Sequence, residues 1–184
     1  MQLDAKTTAL VLIDLQRGVL AMPLSLHSAA TVYERSRRLA DRFRAASGLV
    51  VRVRVSFSAD LADVPRSPVD QPTKYGTLPP GWDELPEPPH PSDVVITKRH
   101  WGAFHGTELD LQLRRRQIRA IVLGGIATNM GVESTARSAA EHGYELVAAE
   151  DLCSALDADM HAFSFRHILP HLARVTSSEA IALG

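Results

Sequence analysis

Cysteine is nearly missing from this chain: Cys153 stands alone among 184 residues. One thiol forms no internal disulfide, so a reducing cytoplasm is the expected compartment. Charge of one sign is not in excess either, because 20 basic against 21 acidic residues leave a net charge of −1. A nucleic-acid or anionic-membrane partner needs a basic surplus, so neither is expected. No apolar run is long enough to cross a bilayer. The opening Met1-Gln2-Leu3-Asp4 lacks the charged, then apolar, then small-residue layout of a signal peptide. Nucleotide-binding signatures are missing as well: Gly124-Gly125 has neither the G-x-G-x-x-G spacing nor a G-K-[ST] ending. His167 and His171 are four apart, yet Pro170 disturbs their turn and no third ligand of the right type stands nearby. No metal and no cofactor are expected, and the partner left is a small-molecule substrate.

What the chain does contain is the ordinary mixture of a globular domain, 45% hydrophobic and 22% charged. Its length fits a single domain over 1–184 that buries roughly 70% of the unfolded surface. Short apolar runs alternate with helical stretches. Thr8 to Ile13, Leu49 to Val55, Asp93 to Thr97, Ile118 to Leu123, Glu145 to Ala149 and Arg174 to Thr176 read as strands. Arg52 and Arg54 alternate with valines in the second and therefore share one face. Ser28 can cap a helix carrying Val32, Leu39, Ala40 and Phe43 at helical spacing, and Gly48 suits its stop. Thr107 with Asp110 reads as a capping box opening a helix through Arg116. Near-continuous apolar strands alternating with helices indicate a parallel sheet covered on both faces. The expected fold is a doubly wound α/β domain, a Rossmann-like three-layer sandwich of about six mainly parallel strands. The exception is the proline-dense stretch 58–92, too long for an ordinary connection, which reads as a lid or a wrapping arm.

Three polar features fall just past strand ends: Asp14 after the first, Lys98 after the third, and the Gly124–Gly131 turn after the fourth. In open α/β sheets that edge is where ligands bind. A carboxylate, an ammonium and a helix amino terminus can therefore meet in one crevice, with burial raising the carboxyl pKa and the ammonium lowering it. Each has a plainer reading. Asp14 can be a turn residue, Lys98 a solvated lysine and Gly131 a packing glycine. Cys153 reads more simply as a small buried residue than as a displaced nucleophile.

These segments resemble the isochorismatase-like hydrolases. Ala9-Leu10-Val11-Leu12-Ile13-Asp14-Leu15-Gln16 is similar to the family's opening strand, Lys98 to Leu109 to its lysine segment, and Gly124 to Ala136 to its nucleophile turn. Order and spacing match over nearly the whole chain. The resemblance implies that Asp14 and Lys98 are catalytic and that a cis peptide joins Ile126 and Ala127. It places Gly131 where most of the family carries cysteine and isochorismatases proper do not. Gln16, Trp101, Phe104, Ile126, Ala127 and Thr128 then stand as substrate-binding candidates, with His100 and His105 flanking the lysine. The glutamine and arginine with which isochorismatases grip substrate find no counterpart between Val55 and Asp70, and Arg54 or Arg66 stand as substitutes. Glycine yields no thiolate. The implied reaction is hydrolysis of a small organic acid or vinyl ether, with Asp14 protonating carbon, Lys98 orienting ligand or water, and water attacking. The alternatives are a catalytically silent relative that binds a small molecule or partner protein, and a thiol amidase using Cys153. Relatives generally assemble, so a homo-oligomer, dimer or tetramer, is expected.

Overall fold

The computed structural model describes residues 1–73 and 76–184. Its elements run β1 (Gln2–Leu3), β2 (Thr8–Ile13), α1 (Arg17–Leu20), α2 (Ala29–Ala45), β3 (Leu49–Val55), β4 (Val94–Lys98), α3 (Leu109–Arg115), β5 (Ala120–Ile126), α4 (Glu133–Glu141), β6 (Glu145–Ser154), α5 (Ala158–Phe163), β7 (Arg174–Thr176) and β8 (Ala182–Leu183). Six strands form one parallel sheet in the order β4-β3-β2-β5-β6-β7. The chain winds outward from β2 through β3 to β4, then crosses back to β5, so the winding reverses between β2 and β5. That is the doubly wound arrangement its residue pattern implies.

β2 shows why the sheet has two covered faces. Ala9, Val11 and Ile13 enter the core shared with α3 and α4, including Leu109, Leu113, Val132 and Ala136. Leu10 and Leu12, pointing the opposite way, pack with Val32, Leu39, Ala40 and Phe43 of α2. Every residue of this strand is buried. Burying a leucine or isoleucine side chain contributes roughly 1.5–3 kcal/mol, so the two clusters supply most of the drive to fold.

Several boundaries differ from the sequence reading, each for a physical reason. Ser28 does cap α2, its hydroxyl accepting from Thr31 N at 3.2 Å. The helix stop, however, uses Ser47 at φ +57°, and Gly48 N donates to Phe43 O one residue later. Gly48 is required by crowding instead, since a Cβ there would lie 3.0 Å from Phe43 Cδ1. The Thr107–Asp110 box does not close: Thr107 Oγ1 accepts from Leu109 N, while Asp110 receives Arg114 and the Tyr144 hydroxyl. β4 sits one residue later than expected, making Lys98 its last residue. In β5 the glycines are strand residues, not a turn: Gly124 pairs with Leu12 and Gly125 with Ile13. Ile118 lies between α3 and β5, its N–H donating back to Leu113 O.

β6 runs five residues past Ala149, and its register slips between Leu123 and Gly125, so Cys153 lies within the strand opposite Gly125. The bulge leans on β5, where a Cβ at Gly124 would come 2.7 Å from Leu152 Cβ. At Gly125 the backbone is at φ +132° and a Cβ would fall 2.2 Å from Ile13 O. Only glycine allows β2 and β5 to approach this closely. The described part of the proline-rich stretch holds no strand or helix, but it is anchored at the sheet's carboxyl edge: Gly18 N donates to Trp82 O at 2.8 Å and Arg17 N to Glu84 O at 2.9 Å. Among the described residues, no helix is long and apolar enough to cross a membrane.

Candidate active site

At the carboxyl end of β2 the chain turns sharply through Asp14, which holds φ +52° while its N–H donates to Val53 O at 2.9 Å. Aspartate tolerates this left-handed backbone better than most residues. The turn aims its carboxylate along the sheet edge, and Lys98 meets it from β4, two strands away. Lys98 Nζ donates to Asp14 Oδ2 at 2.7 Å and to His100 O at 3.0 Å. Both side chains are shielded, at 9% and 2% exposure for Asp14 and Lys98. Asp14 Oδ1 is buried and has no hydrogen-bond partner among the described residues. Burial pushes the Asp14 carboxyl up to about 6, against the pull of the Lys98 ammonium and its hydrogen bond. A carboxyl in that range exchanges a proton near neutral pH, which an ordinary aspartate does not.

The third component comes from β5. A cis peptide joins Ile126 and Ala127. A wide turn over Thr128–Val132 then leads into α4, closed by Val132 N donating to Ala127 O five residues back. Gly131 stands in this turn rather than in the first turn of α4. A Cβ built on it would lie 3.2 Å from Asp14 Oδ2 and 3.5 Å from the Trp101 carbonyl. Any side chain at 131 would therefore project into the space beside the carboxylate. Thr135 ties the turn to the lysine segment, donating to Gly131 O at 2.6 Å and accepting from Ala103 N at 3.1 Å.

Asp14, Lys98 and Gly131 thus meet at one point of the sheet's carboxyl edge. The expected substrate contacts divide. Trp101 is 55% exposed, and Ala127 is partly exposed at the turn. Gln16 is fully buried, its Oε1 accepting from Val55 N and its Nε2 donating to the carbonyls of Val55 and Trp82. Its amide fastens β3 and the proline-rich stretch to the site edge. Phe104 packs into the core against His142 and Tyr144, and Ile126 joins the α2-side cluster. Thr128 is buried, and its hydroxyl shares a 2.8 Å hydrogen bond with His161 Nδ1. The rings of His100 and His105 meet edge-on at 4.7 Å. Arg54 is held by Asp83 and Thr97, and Arg66 donates to Leu61 O.

His161 escaped the sequence reading. It lies in α5, capped by Asp157, and is buried, with Nε2 3.7 Å from Glu150 Oε1. Burial holds its imidazole below the usual histidine range. No periodicity or motif marks it, because its place beside Thr128 depends on how α5 folds back over the turn. Cys153, by contrast, sits in the α3–α4 core, with Sγ donating to Ala149 O at 3.4 Å. Burial pushes its thiol up to about 12, far from a usable thiolate.

A family model described as the isochorismatase domain matches residues 8–180. The isochorismatase family protein YecD of Escherichia coli O157:H7 is 52% identical over 183 residues, covering 98% of this chain and 97% of that one. The solved structure of an isochorismatase family protein from Burkholderia thailandensis has a TM-score of 0.90 and 42% identity, covering 96% of this chain and 94% of that one. Streptothricin hydrolase of Streptomyces noursei is 29% identical over 150 residues, 81% of this chain and 50% of that enzyme.

Proposed function

The chain belongs to the isochorismatase family of hydrolases, and on that premise we propose that it hydrolyses a vinyl ether of a small organic acid without covalent catalysis. Asp14 in its acid form gives its proton to the terminal methylene carbon, whose π electrons form the new C–H bond. The positive charge then rests on the ether-bearing carbon and its oxygen. Water adds to that carbon and loses a proton to the Asp14 carboxylate, and the resulting hemiketal collapses to an alcohol and a 2-oxo acid. Lys98 fixes the carboxylate through its 2.7 Å hydrogen bond and favours its ionised form as the proton leaves. The exposed Trp101 and Ala127 are the substrate candidates that remain reachable.

One observation carries this reading. The position that would put a side chain 3.2 Å from Asp14 Oδ2 is Gly131, and the chain's single thiol is sealed in the core. Among the described residues, the carboxyl that burial raises to about 6 has no thiol or hydroxyl in hydrogen-bond contact with it. The test is turnover of vinyl-ether, amide and ester panels by the parent protein and by Asp14→Asn. Vinyl-ether hydrolysis lost in the variant supports the proposal; amide or ester turnover that survives it overturns the proposal. A silent, ligand-binding relative is the second reading, favoured by the near-complete shielding of Asp14 and Lys98. No turnover anywhere in the panels would put it first.

The protein is further proposed to be cytoplasmic and homo-oligomeric, as a dimer or tetramer. Ser25 bridges Ala155, so the exposed Leu26 and Leu156 flank one bridge, and Met160 and Phe163 of α5 are also more than half exposed. Apolar side chains left open in this way suit contact with a second copy. A monomer by light scattering at micromolar concentration would rule that out.

A further inference from the structure

Behind the sheet from the Asp14 crevice, a cavity of about 210 Å³ opens between α2, β3 and the end of the proline-rich stretch. Its inner wall carries two polar groups that the fold leaves unanswered. Ser36, on the buried face of α2, is 1% exposed and its hydroxyl has no hydrogen-bond partner among the described residues. Arg52, in β3 beside Leu12, is 8% exposed, and no carboxylate or hydrogen-bond acceptor among the described residues engages its guanidinium. The Arg52 stem is buried, whereas its guanidinium nitrogens, unlike the Ser36 hydroxyl, keep contact with solvent, so the cation faces the cavity with no anion beside it. The remaining inner wall is apolar, formed by Leu12, Leu15 and Ala40 with the ring of Tyr33.

The rim is different. Its charges largely pair with one another, Arg44 with Asp41 at 2.8 Å and with Asp93 at 2.7 Å, and Arg37 with Glu34 at 3.1 Å. Glu87 stands exposed at the mouth. Among the described residues, Arg52 at the base and Glu87 at the mouth are the lining arginine and carboxylate left without a salt bridge, and the cation is the one set against the apolar wall. A planar guanidinium offers two parallel N–H donors, the fork that a carboxylate accepts, and an adjacent hydroxyl can donate a third hydrogen bond. An apolar cavity of roughly 150 Å³ already accepts benzene.

We propose that this cavity is a binding site, separate from the Asp14 crevice, for a small organic monocarboxylate carrying one ring or a short branched apolar body. Arg52 takes the carboxylate through a forked pair of hydrogen bonds, Ser36 donates to one of its oxygens, and the Leu12–Leu15–Ala40 wall takes the body. Inorganic phosphate would meet the same cation but gain nothing from the wall, so it should bind more weakly.

The experiment is calorimetric titration of the full chain with sodium benzoate, benzamide and inorganic phosphate, repeated on Arg52→Met, Ser36→Ala, Glu87→Gln and Asp14→Asn. Circular dichroism first checks that each variant is folded. Hydrogen bonds to a charged group contribute about 1.5–3 kcal/mol, so Arg52→Met should weaken benzoate binding at least about tenfold. Ser36→Ala, which removes much less bulk, should weaken it severalfold and serves if the arginine variant fails to fold. Asp14→Asn should leave benzoate affinity unchanged, and Glu87→Gln should leave it unchanged or tighten it. No benzoate binding at 10 mM (about a hundred times a typical substrate-scale Kd) overturns the proposal, as does benzamide binding as well as benzoate. Phosphate binding as tightly as benzoate overturns the carboxylate class. Loss in Glu87→Gln with Arg52→Met unaffected would mean that the cavity takes a cation, and loss in Asp14→Asn alone would move the benzoate to the crevice.

Discussion

Replacing Asp14 with asparagine should separate what this residue does for chemistry from what it does to stability. Burial raises its carboxyl from 3.8 to about 6 in the folded chain. The folded state then holds the proton more tightly than the unfolded chain does. The protonated carboxyl's contribution is accordingly full below pH 3.8 and is lost as pH climbs through about 6. A gap of about 2 pH units at ~1.4 kcal/mol each makes that loss on the order of 3 kcal/mol. Asparagine has no charge to desolvate at any pH. Its Oδ1 can still accept from Lys98 Nζ, but its Nδ2 falls where Asp14 Oδ1 now finds no partner. That unmet donor costs about 1–3 kcal/mol, independent of pH.

The two contributions set the expected curve. Near pH 4 Asp14 is itself protonated and its O–H meets no acceptor among the described residues either, so the variant is less stable only by the cost of the amide's second N–H. By pH 7 the parent has lost its roughly 3 kcal/mol, and the variant is equal or more stable by up to about 2 kcal/mol. Urea unfolding followed by circular dichroism at pH 4, 5.5 and 7 measures the crossing. Parent and variant curves that stay parallel within about 0.5 kcal/mol would show that Asp14 is not held in a desolvated site, and the argument for a carboxyl poised near neutrality would fall. Activity in the same variant should drop by about 10²–10⁴, the usual contribution of a positioned acid.

Three other outcomes follow from the same geometry. If the protonated Asp14 is the acid, kcat/KM should fall about tenfold per pH unit above roughly pH 6; a rate that rises through that range would assign the carboxylate the opposite role. Cys153→Ala should keep full activity and cost about 1–2 kcal/mol from lost packing, and the native thiol should resist iodoacetamide until the protein is unfolded. Gly125→Ala should destabilise by more than about 4 kcal/mol, read from the urea midpoint, because its Cβ would sit 2.2 Å from Ile13 O; a variant within 1 kcal/mol of the parent would mean that β2 and β5 are not packed as described.

The sheet was legible because its strands are largely buried, so Thr8–Ile13 appears in the sequence as an unbroken apolar or β-branched run and Leu49–Val55 as valines alternating with Arg52 and Arg54. What blurred their ends was residues chosen for contact rather than hydropathy. Gly124 and Gly125 look like a turn in one dimension, yet they continue β5 because Leu152 and Ile13 press against them. Glu150 and Asp151 look like the end of a strand, but they ride on a bulge where Asp151 accepts from the Ser178 backbone and hydroxyl. Asp14 and Lys98 were legible by their place after apolar strands. His161 was not, since nothing local distinguishes it from any helical histidine. Arg52 and Arg54 were assigned to one face by alternation alone, but only the packing of α2 separates their surroundings, leaving one arginine paired with Asp83 and the other facing a cavity.

Gly131 is more than a missing sulfur. Its Cβ would approach Ile13 Cγ2 to 2.9 Å, closer than carbon atoms tolerate, and that methyl branches directly from a strand residue locked at the centre of the sheet. It cannot swing aside as the tip of a lysine could. The strand preceding Asp14 has therefore packed up to the glycine, so that a side chain at 131 conflicts with the residue next to the proposed acid. A thiol-based site on this frame would need a cysteine at 131 and a narrower or differently branched residue at 13, two coordinated changes rather than one. Leaving 131 bare gives Ile13 its place in the sheet, one residue before Asp14, whose burial raises its carboxyl to about 6. The packing that leaves no room for a side chain at 131 thus lies beside the buried carboxyl, and the proposed water-based reaction uses both features: the absent side chain and the raised acid.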